Sequence, residues 1–416
     1  MDIPGLPART AALRLTDAVL RRGETLEQAG PSALQGIRSD ADRALARALA
    51  AEALRWLTDL DALIDSATRQ ILPDDAKVRS VLRLMLAGWL RLETPPHAVI
   101  ATALPLLSGG PRRLAHGVFG ALTKQDIRLP AAPTLPDTVL ARWGTRAGTI
   151  AAALAQPPPL DLTLRDFGRD PAETAHWAEQ LGGISLMPGH VRLPRGEAIE
   201  RLAGFKEGAW WVQDLAASLP ARLLGPGEGR NVLDLCAAPG GKTLQLAAAG
   251  WQVTALDGSA RRLERLRDNL TRTGLTAEVI RADVLEWQSG ASFDAVLLDA
   301  PCTATGTCRR HPDVLHRIGA RQIGEMAQVQ ATLLERAVAW VKPGGRLVYA
   351  VCSLEPEEGE AQSNRITLTP DPVRMEELPE GLAPTPEGWL RTDPGMLADA
   401  GGLDGFFIGR WRCEAA

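Results

Sequence analysis

The chain has 416 residues, of which 45% are hydrophobic and 23% charged, with a net charge of −4; this is an ordinary globular composition, long enough for two or three domains. No apolar run approaches the ~18 residues of a membrane span, and MDIPGLPARTAALRL lacks the basic-then-apolar order of a secretion signal, so a cytoplasmic protein without membrane partners is expected. The five cysteines form no C-x-x-C pair, which argues against a disulfide framework and a zinc knuckle and predicts no metal.

Residues 1–130 read as an all-α domain. Val78, Leu82, Met85 and Trp89 recur at helical spacing, as do Leu45, Leu49, Ala53 and Trp56, so each run carries one apolar stripe. Pro73-Asp74-Asp75 reads as a stop followed by acidic helix-start residues, and Pro95-Pro96 ends the next helix before His97 to Leu107. Arg9, Arg14, Arg21, Arg22, Arg112 and Arg113 offer charge for phosphates, as well as an ordinary solvated helix surface.

Residues 131–204 combine a proline-rich connector with a small α+β adaptor. Leu160, Leu162 and Leu164 alternate as in a strand, Pro171 to Leu181 reads as a helix, and Ile184 to Leu193 supplies one or two short strands. Trp210-Trp211, at the start of the third region (205–416), is expected to pack in a core or to cover a ligand.

From Asn231 the pattern changes to alternating strands and helices, which requires a mostly parallel, doubly wound sheet. In NVLDLCAAPGGKT an apolar strand breaks into Pro239-Gly240-Gly241 and opens a helix, the first unit of a nucleotide or nucleoside site. An ATP-type phosphate loop would need glycine at 236, where Cys236 stands, and G-x-G-x-x-G is absent. Later strands end in Asp257, in Asp283 and in Asp299-Ala300-Pro301-Cys302; a fifth, Arg346 to Val351, ends in Cys352-Ser353. Ligands bind at that edge of open α/β sheets. The strand near Phe407 lacks a crossover helix before it and is expected to be antiparallel.

LDLCAAPGGKT, RAD, LLDAPC, KPGG-x-LVYA-x-CS, the Glu-Pro-Glu-Glu that follows and DGFF together resemble the RNA cytosine-5 methyltransferases of the Sun family. The helices of residues 8–108 resemble a NusB-like RNA-binding domain. The resemblance implies a Rossmann-like class I methyltransferase sheet and S-adenosylmethionine as methyl donor. It also implies a cytidine in RNA as substrate, 16S rRNA first and tRNA as the alternative, with no obligate protein partner; a non-catalytic RNA-binding assembly factor is the reading from another class.

In the family the later cysteine, here Cys352, is the nucleophile on C6, and Cys302 helps release the enzyme after methyl transfer. Cys236, Ala237, Ala238, Pro239, Gly240, Gly241 and Lys242 would wrap the methionine end of the donor, Asp257 the ribose and Asp283 the adenine. Asp299 and Lys242 would face the base, and Arg309, Arg310 and His311 the RNA backbone. The chain departs from the family pattern at Val351 (usually Thr), at Thr303-Ala304-Thr305-Gly306 (usually Ser-Gly-x-Gly), and at 366–390, a Pro- and Glu-rich stretch expected to be a surface excursion.

Overall fold

The computed structural model describes residues 3–166, 168–196 and 198–415. The chain divides into two compact units, Met1–Gln156 with Cys308–Gly319, and Pro157–Thr307 with Ala320–Ala416.

The first unit is helical. Leu6–Arg22, Asp40–Arg55, Leu57–Ser66, Pro96–Ala103 and Gly109–Leu122 surround Lys77–Leu90. That central helix is buried from Val78 to Gly88 and so is apolar on more than the single stripe its spacing predicted. Its two arginines are enclosed because each finds an anion: Arg83 grips Asp61 through two bonds of 2.7 Å, and Arg79 bonds Asp65 at 2.6 Å. Asp74 and Asp75 do not cap it; the helix begins after Ala76 without a side-chain cap.

Residues 308–319 are embedded in the sequence of the α/β region yet belong to the helical unit. Cys308 is buried there, the Arg55 guanidinium donates to the Arg309 carbonyl at 2.9 Å, and a His316 ring nitrogen lies 2.6 Å from the Leu54 carbonyl.

The second unit contains two sheets. Strands β1 (Leu160–Leu164), β2 (His190–Leu193) and β3 (Trp210–Val212) form an antiparallel sheet in the order β2-β1-β3. Trp210-Trp211 thus supplies the third adaptor strand, with both rings buried. Asp161 of β1 holds Arg192 of β2 through bonds of 2.6 and 2.7 Å and accepts the Leu215 N–H at the start of the next helix, so one buried ion pair fixes both sheet and exit.

The main sheet is built from β4 (Asn231–Leu235), β5 (Gln252–Asp257), β6 (Glu278–Arg281), β7 (Phe293–Asp299), β8 (Val341–Val351), β9 (Thr369–Pro370), β10 (Leu390–Arg391) and β11 (Phe407–Arg412). Its order is β10-β11-β8-β7-β4-β5-β6, with β9 also on β11. Strands β8, β7, β4, β5 and β6 are parallel neighbours, and β11 runs antiparallel to β8. Val232, Leu233, Leu235 and Ala295 to Leu298 are buried as continuous runs, because helices cover both faces. The stretch 366–390 departs from the expected surface excursion: β9 pairs with β11, and Val373 and Leu382 join the core, which secures the antiparallel edge.

Candidate active site

Because β7, β4, β5 and β6 are parallel neighbours, their C-terminal ends form one rim. At the end of β4 the chain must turn from strand to helix, and it does so through Cys236 at φ 59° and Gly240 at φ 110°. Gly240 requires glycine there: the angle is left-handed, and a Cβ would stand 2.9 Å from the Leu266 side chain. The helix Gly241–Ala248 begins at once, directing its first N–H groups at the rim. The turn is tied to β5, since the Ala237 N–H donates to the Leu256 carbonyl at 3.1 Å and the Ala238 N–H to Asp257 Oδ2 at 3.2 Å. Asp257 Oδ1 accepts from the Ser259 N–H at 2.8 Å, and Arg262 lies 3.1 Å from Oδ2. Asp283 is exposed beyond β6, accepting from the Leu285 N–H at 2.8 Å; Pro239 is exposed on the turn.

Lys242 and Asp299 meet on the rim, Nζ to Oδ2 at 2.7 Å, the lysine enclosed and the carboxylate partly open. Phe406, from the DGFF stretch before β11, places its ring centroid 5.4 Å from Lys242 Nζ. Sequence reasoning noted DGFF without giving Phe406 a role.

The two cysteines at strand ends are brought together: Cys302 Sγ lies 3.4 Å from Cys352 Sγ, a hydrogen-bond distance between free thiols. Cys302 is held well above the ordinary thiol pKa, first by its bond with Cys352, then by burial and the negative charges of Cys352 and Glu358. Cys236 is pushed up to about 12, by burial first and then by Asp299 and Asp257, and so stays protonated at neutral pH.

Three loops lock around the pair. The Gly306 N–H donates to the Cys352 carbonyl at 3.0 Å, and the Gly405 N–H donates to the Gly306 carbonyl at 2.9 Å. Neither Glu358 nor this glycine contact was singled out from the sequence, because both depend on partners far away in the chain. Of the residues expected on RNA, Arg309 is buried, while Arg310 and His311 are exposed. No metal-holding cluster of His, Cys, Asp and Glu occurs among the described residues, and none of their helices is long and apolar enough to cross a membrane.

The family described as 16S rRNA methyltransferase RsmB/F matches residues 221–412, and the NusB family matches residues 6–108. The chain is 35% identical over 398 residues to the ribosomal RNA small subunit methyltransferase B of Klebsiella pneumoniae subsp. pneumoniae, covering 87% of this chain and 90% of that protein. It is 35% identical over 381 residues to the protein of that name from Xanthomonas campestris pv. campestris, covering 86% and 87%. Among solved structures, a methyltransferase homolog protein from Pyrococcus horikoshii aligns with a TM-score of 0.56 at 27% identity, over 67% of this chain and 93% of that one. NSun6 from the same organism, solved with SFG, shares the fold at 19% identity with a TM-score of 0.57, over 67% and 98% of the two chains. With relatives of this identity along nearly its whole length, the chain belongs to the RsmB/F family of 16S rRNA methyltransferases and carries a NusB-family helical domain.

Proposed function

We propose that the chain methylates C5 of a cytidine in small-subunit ribosomal RNA, with S-adenosylmethionine as donor and a transient bond between Cys352 and C6. The observation that carries this reading is the thiol pair at 3.4 Å in the same unit as the Lys242–Asp299 ion pair. C5 of cytosine is a weak nucleophile until a thiolate adds to C6 and moves electron density onto the ring.

The rim suits the donor. A side-chain-free turn at Gly240-Gly241, an open helix N-terminus and three carboxylates on neighbouring strand ends match a cationic ligand that also carries hydroxyls and an amino acid end. Residues 236–242 would take the methionine part, Asp257 the ribose and Asp283 the adenine, with Asp299 between donor and base. When bound, the donor supplies an electrophilic methyl group to C5.

The chain's own residues do the rest. Cys302 retains its proton and donates to Cys352 Sγ, so Cys352 is the member of the pair that attacks as thiolate. Lys242 stabilises the negative charge that spreads to N3 and O2 as the Cys352–C6 bond forms. After transfer, water takes the C5 proton, the C–H electron pair forms the C5–C6 double bond, and the Cys352–C6 bond breaks with its pair staying on the Cys352 sulfur, which the Cys302 S–H stabilises by donating to it. Arg310 and His311 are proposed as RNA backbone contacts.

Bisulfite sequencing of total RNA from a deletion strain, complemented with wild-type or Cys352→Ala protein, tests the reading. The expected result is one or more 16S rRNA cytidines that lose protection in the deletion strain and regain it only with the wild-type gene. Loss at tRNA sites alone would move the substrate to tRNA, and restoration by Cys352→Ala would remove the covalent mechanism.

A further inference from the structure

Glu358 takes no part in the steps above, yet its carboxylate is enclosed between the two loops that carry the thiols. It is fully buried and accepts from four neutral donors. Oε1 receives the Thr303 N–H at 2.9 Å and Gln330 Nε2 at 3.0 Å, while Oε2 receives the hydroxyls of Thr303 and Ser353. Thr303 follows Cys302, and Ser353 follows Cys352. One carboxylate therefore bonds the residue next to each cysteine.

The surroundings reinforce this clamp. Gln330 also donates to the Pro301 carbonyl at 2.9 Å, on the other side of Cys302. The Tyr349 hydroxyl, from β8, donates to the Glu358 carbonyl at 2.6 Å and fixes the backbone that carries the carboxylate. Thr305 Oγ1 lies 3.3 Å from Ser353 Oγ and accepts the Leu354 N–H at 3.0 Å.

We propose that Glu358 is a positioning residue that sets the separation of Cys302 and Cys352 and, through its negative charge, keeps the shared proton on Cys302. This rests on the roles proposed for the two cysteines. The charge matters beyond the tie itself, because two nearly equivalent thiols would otherwise divide the proton and halve the population of attacking Cys352. Burial strengthens the effect, since a fixed anion in a poorly screened interior acts more strongly on its neighbours than one in water. The charge of Glu358 is one of the causes that raise the Cys302 pKa.

Glu358→Gln separates charge from shape: its amide fits the same space, and the Ser353 and Thr303 hydroxyls can turn to accept its N–H. Glu358→Ala removes both. Three measurements on the full-length protein read the result. Diamide oxidation followed by intact mass reports formation of the Cys302–Cys352 disulfide and thus thiol separation. Iodoacetamide labelling across pH, followed by peptide mass in a Cys352→Ala background, reports the titration of Cys302. Steady-state methyl transfer separates kcat from KM for RNA.

The expected result for Glu358→Gln is a Cys302 labelling midpoint lower by about one unit and a roughly twofold lower kcat with unchanged KM, as the two thiols divide the proton. Glu358→Ala should in addition slow disulfide formation roughly tenfold, since small displacements of reacting groups are costly. Should Glu358→Ala fail to fold, Thr303→Val and Ser353→Ala each remove a donor beside one cysteine and should slow the disulfide in its place. A folded Glu358→Gln protein with the wild-type labelling midpoint and kcat would overturn the proposal. If instead the wild-type protein left no C5 methyl in RNA, the proposed function would fail, while the labelling and disulfide measurements would still judge the clamp.

Discussion

Lys242 Nζ lies 2.7 Å from Asp299 Oδ2 and 5.4 Å from the centroid of the Phe406 ring, a cation held between an anion and an aromatic face. The ammonium is thereby aimed before substrate arrives, and fixed charge stabilises a developing anion without reorganisation. Lys242→Met keeps the length of the side chain and removes the charge. Its kcat should fall by about 10²–10³-fold, with circular dichroism unchanged, as measured by single-turnover transfer of labelled methyl groups to RNA. A fall of less than threefold, ~0.6 kcal/mol in barrier, would remove Lys242 from the base-binding role.

The thiol separation of 3.4 Å makes a different prediction for each cysteine. Cys352→Ala has no nucleophile and should give no transfer and no adduct. Cys302→Ala can still form the Cys352–C6 bond but lacks the group beside the departing sulfur, so a covalent RNA–protein species should accumulate and survive denaturing electrophoresis. Adduct formed by Cys352→Ala and absent from Cys302→Ala would reverse the two roles.

Where local chemistry decides an element, the sequence was sufficient. The helix Ala260–Thr273 is bounded by local signals, because Ser259 caps its start by accepting the Arg262 N–H and Gly274, at φ 66°, ends it. The rim of aspartates and cysteines follows from parallel strands that all end on one side. Contacts across long sequence separations were not legible. Nothing in the composition of residues 308–319 indicates that they pack with Leu54 and Arg55. The Pro- and Glu-rich character of 366–390 concealed Val373 and Leu382, which are buried singly and without a period. Glu358 closes the Glu-Pro-Glu-Glu run that contributes to the family resemblance, but its burial depends on Gln330 and Thr303, 28 and 55 residues away.

The loop after Cys302 contains two residues with opposite requirements. Ala304 has φ 58°, a left-handed conformation that costs a non-glycine residue ~1 kcal/mol. Ala304→Gly should therefore stabilise the protein by about 0.5 kcal/mol, the relief being partly offset by the greater freedom of glycine in the unfolded chain. Gly306 allows the opposite comparison: a Cβ there would stand 1.9 Å from the Gly405 carbonyl oxygen, so Gly306→Ala must separate the two loops. It should cost about 3 kcal/mol or more and reduce methyl transfer with it. Thermal melts of both variants check the pair, and equal melting temperatures would contradict the loop geometry.

Asp234, in β4 before the Pro239-Gly240-Gly241 turn, carries a pH dependence of known sign. Its carboxyl is fully buried and raised to about 7, chiefly by burial and further by Asp299 and Asp257, against the Thr243 hydroxyl that donates to Oδ2 at 2.6 Å. The group binds its proton more tightly in the folded state than in the unfolded one. Its contribution is therefore fully present below the unfolded carboxylate value of ~4, is lost as pH rises towards 7, and stays constant above that. A shift of this size corresponds to on the order of 4 kcal/mol between the two limits. Asp234→Asn removes the titration, so the melting temperature of the variant should change less between pH 4.5 and 7.5 than that of wild type, by several degrees for ~1 kcal/mol or more of difference. Parallel melting curves across that range would show that Asp234 is ionised at an ordinary carboxylate pH despite its burial.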